Sequence, residues 1–280
     1  MKTGIIDVGG GFRDIYGAGV LDYCLDKGLR FDYALGVSAG SANLGSFLAG
    51  QRGRNYRFYT EFGFRKEYAS LENFLKHRSY IDLDYAYGTL SNAGGECPFD
   101  FDAFFANPTP FVVVACDANT GEPIYYDKSR VRKDDLDALK ASSALPMFGQ
   151  PYVVDGVPGF DGGIVDPIPV ERAFADGCDR VVLILTRPVA EPREQKKDRM
   201  PARLIAHRYP RAAERLLSRY RVYNDCVARA QEYEKQGKVL IVAPDDICGL
   251  STLGRSRDRL ERMYAKGYRD AQAIETFLSA

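Results

Sequence analysis

The chain has 280 residues, 45% of them apolar, with 38 lysines and arginines against 38 acids; this suits one large domain, or one with a helical appendage, and excludes the basic balance of a nucleic-acid binder. Its apolar runs, such as Phe111 to Cys116 and Val181 to Leu185, are far shorter than the roughly 20 residues that span a bilayer, so any contact with lipid would be made from the water side. Six scattered cysteines with no CxxC pair, and an opening MKTGIIDVGG without the apolar core of a signal peptide, point to a reduced cytoplasm.

In chain order, Thr3 to Val8 reads as a strand that runs into Gly9-Gly10-Gly11, and Gly17 to Lys27 as a helix ended by Gly28. Tyr33 to Val37 is a second strand, followed by small and apolar residues after Ser38 that suit a helix packed against it. Tyr87 to Pro98, rich in Gly, Asn and Cys, is a loop, and Phe111 to Cys116 is the next strand. Glu122 to Tyr126 beside Tyr152 to Val154 suggests short antiparallel additions, and Lys133 to Ala144 a helix that stops before Pro146. Val181 to Thr186 and Val239 to Ala243 complete the strands. Strands alternating with helical stretches predict an α/β domain built on a mostly parallel sheet.

Beyond Thr186 the composition changes. Arg187 to Arg221 carries eleven lysines and arginines against four acids, and Ile205, Tyr209, Ala213, Leu216, Tyr220 and Tyr223 fall close to one helical stripe. Pro210 is placed to start a helix. The segment is either a helical pair with a solvated basic face, or a cationic surface that meets anionic headgroups or covers the site. Gly254 to Ala280 reads as one charged helix that packs through Leu260, Met263, Tyr264 and Tyr268.

Gly36-Val37-Ser38-Ala39-Gly40 is G-x-S-x-G, the strand-turn-helix elbow that exposes a nucleophilic serine; Gly36 and Gly40 let strand and helix approach. The loop of Gly9, Gly10 and Gly11 offers backbone N–H groups that suit a phosphate or an oxyanion equally. A dinucleotide fingerprint needs glycine where Asp14 stands, and a P-loop needs a following Gly-Lys-Ser or Gly-Lys-Thr, so nucleotide binding is disfavoured. The only histidines are His77, in a polar helical segment, and His207, in the basic run IAHRYPR; neither has the setting of a catalytic base. Asp161 in GFDGGIVDPIPV is the better base. Gly162 and Gly163 put it on a tight turn, where partial burial raises its basicity, although an isolated Asp-Gly-Gly is also an ordinary turn. No HExxH or Cys/His cluster calls for a metal.

GGGFR at Gly9 to Arg13, GVSAG at Gly36 to Gly40 and DGG at Asp161 to Gly163 follow one another in the order and approximate spacing of patatin-like phospholipases, and the chain resembles the bacterial branch of that family. The resemblance covers at least Ile5 to Val170, and TRPVAEPREQKKD and Pro244 to Leu253 resemble the branch's carboxyl-terminal region. It implies a patatin-like core over residues 1–186, with helices on both faces of the sheet, and a helical region with a further strand over 187–280 packed on it. It also implies a cofactor-free serine acyl hydrolase acting on lipid or other acyl esters, with Ser38 as nucleophile, Asp161 as base, and Gly10 and Gly11 as the oxyanion hole. Arg13 either holds the glycine loop or steers an anionic headgroup, and the resemblance puts Ser142, Ser143 and Pro146 near the site, although a structural turn explains them as well. The family's loop usually has glycine after the arginine, where this chain has Asp14, a side chain able to distort the hole. A short-chain esterase or thioesterase, and a catalytically silent lipid-binding protein, are the competing readings.

Overall fold

The short apolar runs become strands because their β-branched and aliphatic residues are buried on both sides, the condition of a sheet covered by helices on each face. A computed structural model gives the architecture; it describes residues 1–279, apart from the His77 side chain. The strands are β1 (Thr3–Asp7), β2 (Tyr33–Val37), β3 (Phe111–Asp117), β4 (Pro123–Asp127), β5 (Tyr152–Val154), β6 (Val157–Asp161), β7 (Arg180–Ile184) and β8 (Val239–Val242). They form one eight-stranded sheet in the order β5-β6-β3-β2-β1-β7-β8, with β4 paired to β3. The run from β3 through β2, β1 and β7 to β8 is parallel, whereas β4, β5 and β6 are antiparallel to their neighbours.

The helices are α1 (Ile15–Asp26), α2 (Ala39–Leu48), α3 (Arg54–Thr60), α4 (Leu71–His77), α5 (Phe101–Ala106), α6 (Asp137–Ser143), α7 (Val170–Ala175), α8 (Arg199–Ile205), α9 (Pro210–Lys235), α10 (Arg257–Asp270) and α11 (Gln272–Ser279). Strand alternation divides the core between the two faces. Ile5, Ala34 and Val113 pack with α1, α2, α6 and α10, while Ile6, Leu35 and Val114 pack with α7 and α9. Each fully buried aliphatic side chain contributes roughly 2 kcal/mol to that packing. Pro210 does open α9, and the stripe of Ile205, Tyr209, Ala213, Leu216 and Tyr223 is buried, with Tyr220 half-buried.

Several expectations need correction. Residues 123–127 and 152–154 are the short antiparallel additions expected, but they do not lie beside each other: β4 pairs with β3 and β5 with β6. The helix expected from Lys133 begins at Asp137, because Arg132 and Asp135 close a turn in which Asp134 has a φ of 58°. The terminal helix is two, α10 and α11, divided at Ala271. A π-helical turn, Tyr85–Thr89, takes the start of the expected loop at 87–98.

Register brings distant residues together. β2 pairs its last residue, Val37, with Val114, and β6 pairs its last residue, Asp161, with Ala115, the next position on β3. Because β4 holds the other edge of β3 over Val112 to Cys116, β6 continues the edge that β2 leaves. The chain therefore leaves β2 at Ser38 beside the point where it leaves β6 at Gly162. A methyl group on Gly162 would stand 2.2 Å from the Val114 carbonyl oxygen.

Candidate active site

Ser38 occupies the turn between β2 and α2 with φ 56° and ψ −132°, a left-handed conformation that costs a non-glycine residue roughly 1–3 kcal/mol. The surroundings hold it there. Its N–H donates to Ser142 Oγ at 2.7 Å, and its carbonyl accepts from Ser41 Oγ at 2.7 Å. A Cβ at Gly36 would stand 2.4 Å from Ser41 Cα, and one at Gly40 2.2 Å from the Asp7 carbonyl oxygen, so larger residues would force the elbow open.

The glycine loop leaves β1 beside this elbow. Gly9, Gly10 and Gly11 have φ of 70°, 145° and 62°, three consecutive conformations that side chains resist. Asp7 Oδ1 accepts the Gly9 N–H at 3.1 Å, and Thr186 Oγ1, at the end of β7, donates to the Gly9 carbonyl at 2.6 Å. From the carboxyl-terminal region Thr252 clamps the far end: its carbonyl accepts the Phe12 N–H at 2.9 Å and its hydroxyl accepts from Arg13 Nη1 at 3.0 Å. Among the described residues, the Gly10 and Gly11 N–H groups donate to no protein acceptor. Unpaired donors in a rigid loop can receive an oxygen that becomes negative.

Asp14 does not disturb the loop. Its backbone is ordinary, φ −76° and ψ 3°, and its buried carboxyl faces Asp7. Burial pushes Asp7 up to about 6 and, together with the Asp7 charge, pushes Asp14 well above the carboxylate range. Both carboxyl oxygens of Asp14 are buried without a hydrogen-bond partner, a setting that disfavours the ionised form.

Asp161 ends β6 and is buried, with Oδ1 accepting the Gly163 N–H at 2.8 Å. Burial raises its pKa; the Arg219 charge, a hydrogen bond from the Ser38 side chain, the Gly163 N–H and the Arg193 charge oppose that rise. Arg219, on α9, reaches in closely: a methyl group on Gly163 would lie 3.0 Å from Asp161 Oδ1 and 3.1 Å from Arg219 Nη2. A hydroxyl beside a buried carboxylate of raised basicity is an arrangement for moving a proton.

A cavity opens on Ser38 and is lined by Gly11, Phe12, Ala42, Phe58, Tyr59, Tyr68, Leu83 and Leu90, among others. At one end the Arg54 guanidinium bonds to Ser46 Oγ, Ser91 Oγ and the Cys97 carbonyl. Ser143 lines the cavity and pairs with the Tyr87 hydroxyl at 3.0 Å. His207 is exposed on the connection between α8 and α9, and the His77 side chain lies outside the described residues. Among the described residues no group of three or more His, Cys, Asp or Glu side chains is placed to hold a metal ion.

Sequence reasoning missed Arg219 beside Asp161. The signal was the excess of arginine after Thr186, but nothing local shows which arginines turn inward.

A family model described as patatin-like phospholipase matches residues 8–174, and a second, described as a domain of unknown function, matches residues 209–278. The uncharacterized protein YjjU of Escherichia coli K12 is 31% identical over 192 residues, 67% of this chain and 52% of that protein. The crystal structure of VipD from Legionella pneumophila superposes on 98% of this chain and 66% of that one, with a TM-score of 0.51 and 12% identity, a likeness of fold. The chain thus spans about half the length of the curated relative and just under two thirds of the structural one.

Proposed function

Because the chain belongs to the patatin-like phospholipase family, we propose that it is a serine acyl hydrolase that cleaves fatty acyl esters of lipids, phospholipids included, through a Ser38–Asp161 dyad. The observation that carries this reading is the strained Ser38 turn set beside the buried Asp161 carboxylate, with free Gly10 and Gly11 N–H groups on the adjoining loop. Ser38 Oγ attacks the ester carbonyl while Asp161 takes the hydroxyl proton. The charge that develops on the carbonyl oxygen is received by the two N–H groups; one such donor is worth about 3 kcal/mol of barrier. As the tetrahedral species collapses, Asp161 returns the proton to the departing alcohol and an acyl-enzyme remains. Water, deprotonated by Asp161, then attacks the acyl carbon and Ser38 leaves with the proton, freeing the fatty acid.

The largely apolar cavity on Ser38 suits the acyl chain. Exposed apolar side chains on two helices, Leu71, Phe74 and Leu75 on α4 and Met200 and Leu204 on α8, support peripheral contact with a lipid surface. No helix among the described residues is long and apolar enough to cross a membrane. We read residues 1–186 as the catalytic core and 187–280 as a helical region with a further strand packed on it, in a cytoplasmic protein. A fluorophosphonate probe tests the reading: labelling at Ser38 in the folded protein supports it, and folded protein that stays unlabelled removes it. A chain-length series of nitrophenyl esters followed by phospholipid vesicles separates a lipase from a short-chain esterase.

A further inference from the structure

The cavity that opens on Ser38 runs along one face of α2. Ala39 and Ala42 line it near the serine, and farther along the helix Ser46 Oγ accepts a hydrogen bond from Arg54 Nη1 at 3.0 Å. Ser46 stands eight residues beyond Ser38 in the chain, about 12 Å along a helix axis. Arg54, the first residue of α3, is held there by further bonds: Nη2 donates to Ser91 Oγ at 2.7 Å and to the Cys97 carbonyl at 3.0 Å, and Nε donates to the Pro98 carbonyl at 3.3 Å.

On its other side Arg54 borders a second cavity, an open cleft shared with Arg52, Arg57 and Pro98, and Cys97 borders both. The side chains of Arg52 and Arg57 are about half exposed, so that cleft faces solvent, and Arg54 and Cys97 are the partition between it and the interior. Arg52 pairs with Asp26 and Arg57 with Glu61, whereas among the described residues no carboxylate pairs with Arg54. Burial lowers the pKa of its guanidinium, and the influences that oppose this come from Cys97 and Tyr87, not from an acid. A cation without a counter-ion thus closes an otherwise largely apolar space.

We propose that Arg54 is a charged stop that fixes the longest acyl chain the protein accepts, so that its preferred substrates are esters of medium-chain fatty acids. The inference rests on the hydrolase reading above and makes it more specific. Between Ser38 and the Ser46–Arg54 contact an extended chain has room for about eight to ten carbons. Each methylene up to that point leaves water for a wall that includes Phe58, Ala86 and Leu90. The next one meets a guanidinium that retreats only by breaking its bonds to Ser46, Ser91 and Cys97, which leaves buried donors and acceptors unpaired.

The test is kcat/KM for nitrophenyl esters from butyrate to myristate, each used below the concentration at which it aggregates. The wild-type protein is expected to gain about threefold to fourfold with each added methylene. Beyond octanoate or decanoate it should lose at least about tenfold, the scale of one broken charge-assisted bond. Arg54→Leu should carry the turning point to laurate or beyond, because the cavity then continues into the open cleft. Arg54→Lys keeps a cation at the partition and should hold the turning point where it is. A wild-type profile that rises unbroken through myristate would overturn the proposal, sending the chain instead past Ile81 and Leu83 into the neighbouring cleft that they also line. An Arg54→Leu protein that loses activity equally at every length, or a turning point that moves as far with lysine as with leucine, would overturn it as well. The wild-type series decides even where neither variant folds. Calorimetric binding of the matching straight-chain alcohols is read separately. A break in affinity at the same length with no ester turned over keeps the stop and removes the reaction; turnover with an unbroken rise does the reverse.

Discussion

Ser142 Oγ accepts the backbone N–H of Ser38 at 2.7 Å, tying α6 to the strained turn. Ser142 is fully buried, so Ser142→Ala would leave the Ser38 N–H without its partner. A loss of about 1–2 kcal/mol of stability is expected, with turnover reduced on the order of tenfold as the elbow relaxes. Thermal unfolding beside ester hydrolysis measures both; unchanged values in each would show that the turn holds itself.

Ser38→Ala and Asp161→Asn should each lower kcat at least about 1,000-fold while the circular dichroism spectrum and melting temperature stay near wild type. His207→Ala should change neither, since that side chain stands in solvent. Full activity in the Asp161→Asn protein would remove Asp161 from its role.

The Arg219 charge is the main influence opposing the burial-driven rise of the Asp161 pKa. Replacing it by methionine removes a positive charge that favours the ionised carboxylate, so the Asp161 pKa should rise further. Because the base works ionised, the acid limb of the kcat/KM profile should move to higher pH. A pH series on a neutral nitrophenyl ester reads the shift, and a limb that stays in place or moves to lower pH would contradict it.

The Asp7 and Asp14 pair gives a stability signature. Both pKa values are raised by burial, so the native state retains a proton that the unfolded chain releases near pH 4. This contribution is fully present below that pH and is lost as pH climbs through the folded values, about 6 for Asp7 and well above the ordinary carboxylate value for Asp14. Asp14→Asn removes the second carboxylate and keeps a donor toward Asp7. The variant should therefore gain on wild type as pH rises, by on the order of 1 kcal/mol between pH 5 and pH 8. Denaturant melts at the two pH values measure the difference; a gain larger at pH 5 would reverse the sign.

The parallel strands and the elbow were legible because their signals are local: β-branched runs, a serine between paired glycines, and few histidines. Asp161 was legible as a residue on a turn, but its strand was not. Val157 to Asp161 contains Pro158 and Gly159, which argue against a strand until the antiparallel pairing with β3 supplies the missing bonds. Arg219 and the Ser142 contact were hidden for another reason. Each depends on which face of a helix meets the sheet's end, and a run of arginines looks the same whether it faces solvent or a carboxylate. That Asp14 takes an ordinary backbone conformation and turns its carboxyl toward Asp7 was hidden too, because the buried acid it faces lies seven residues earlier on β1.

Thr252 grips the glycine loop through both its carbonyl and its hydroxyl, and a methyl group on Gly11 would meet that carbonyl oxygen at 2.3 Å. β8, shortly before it in the chain, is a strand of the central sheet itself. The stretch carrying the recognisable signatures therefore leans on chain that lies well beyond it. Excising that stretch would discard the brace on its glycine loop along with one margin of its scaffold.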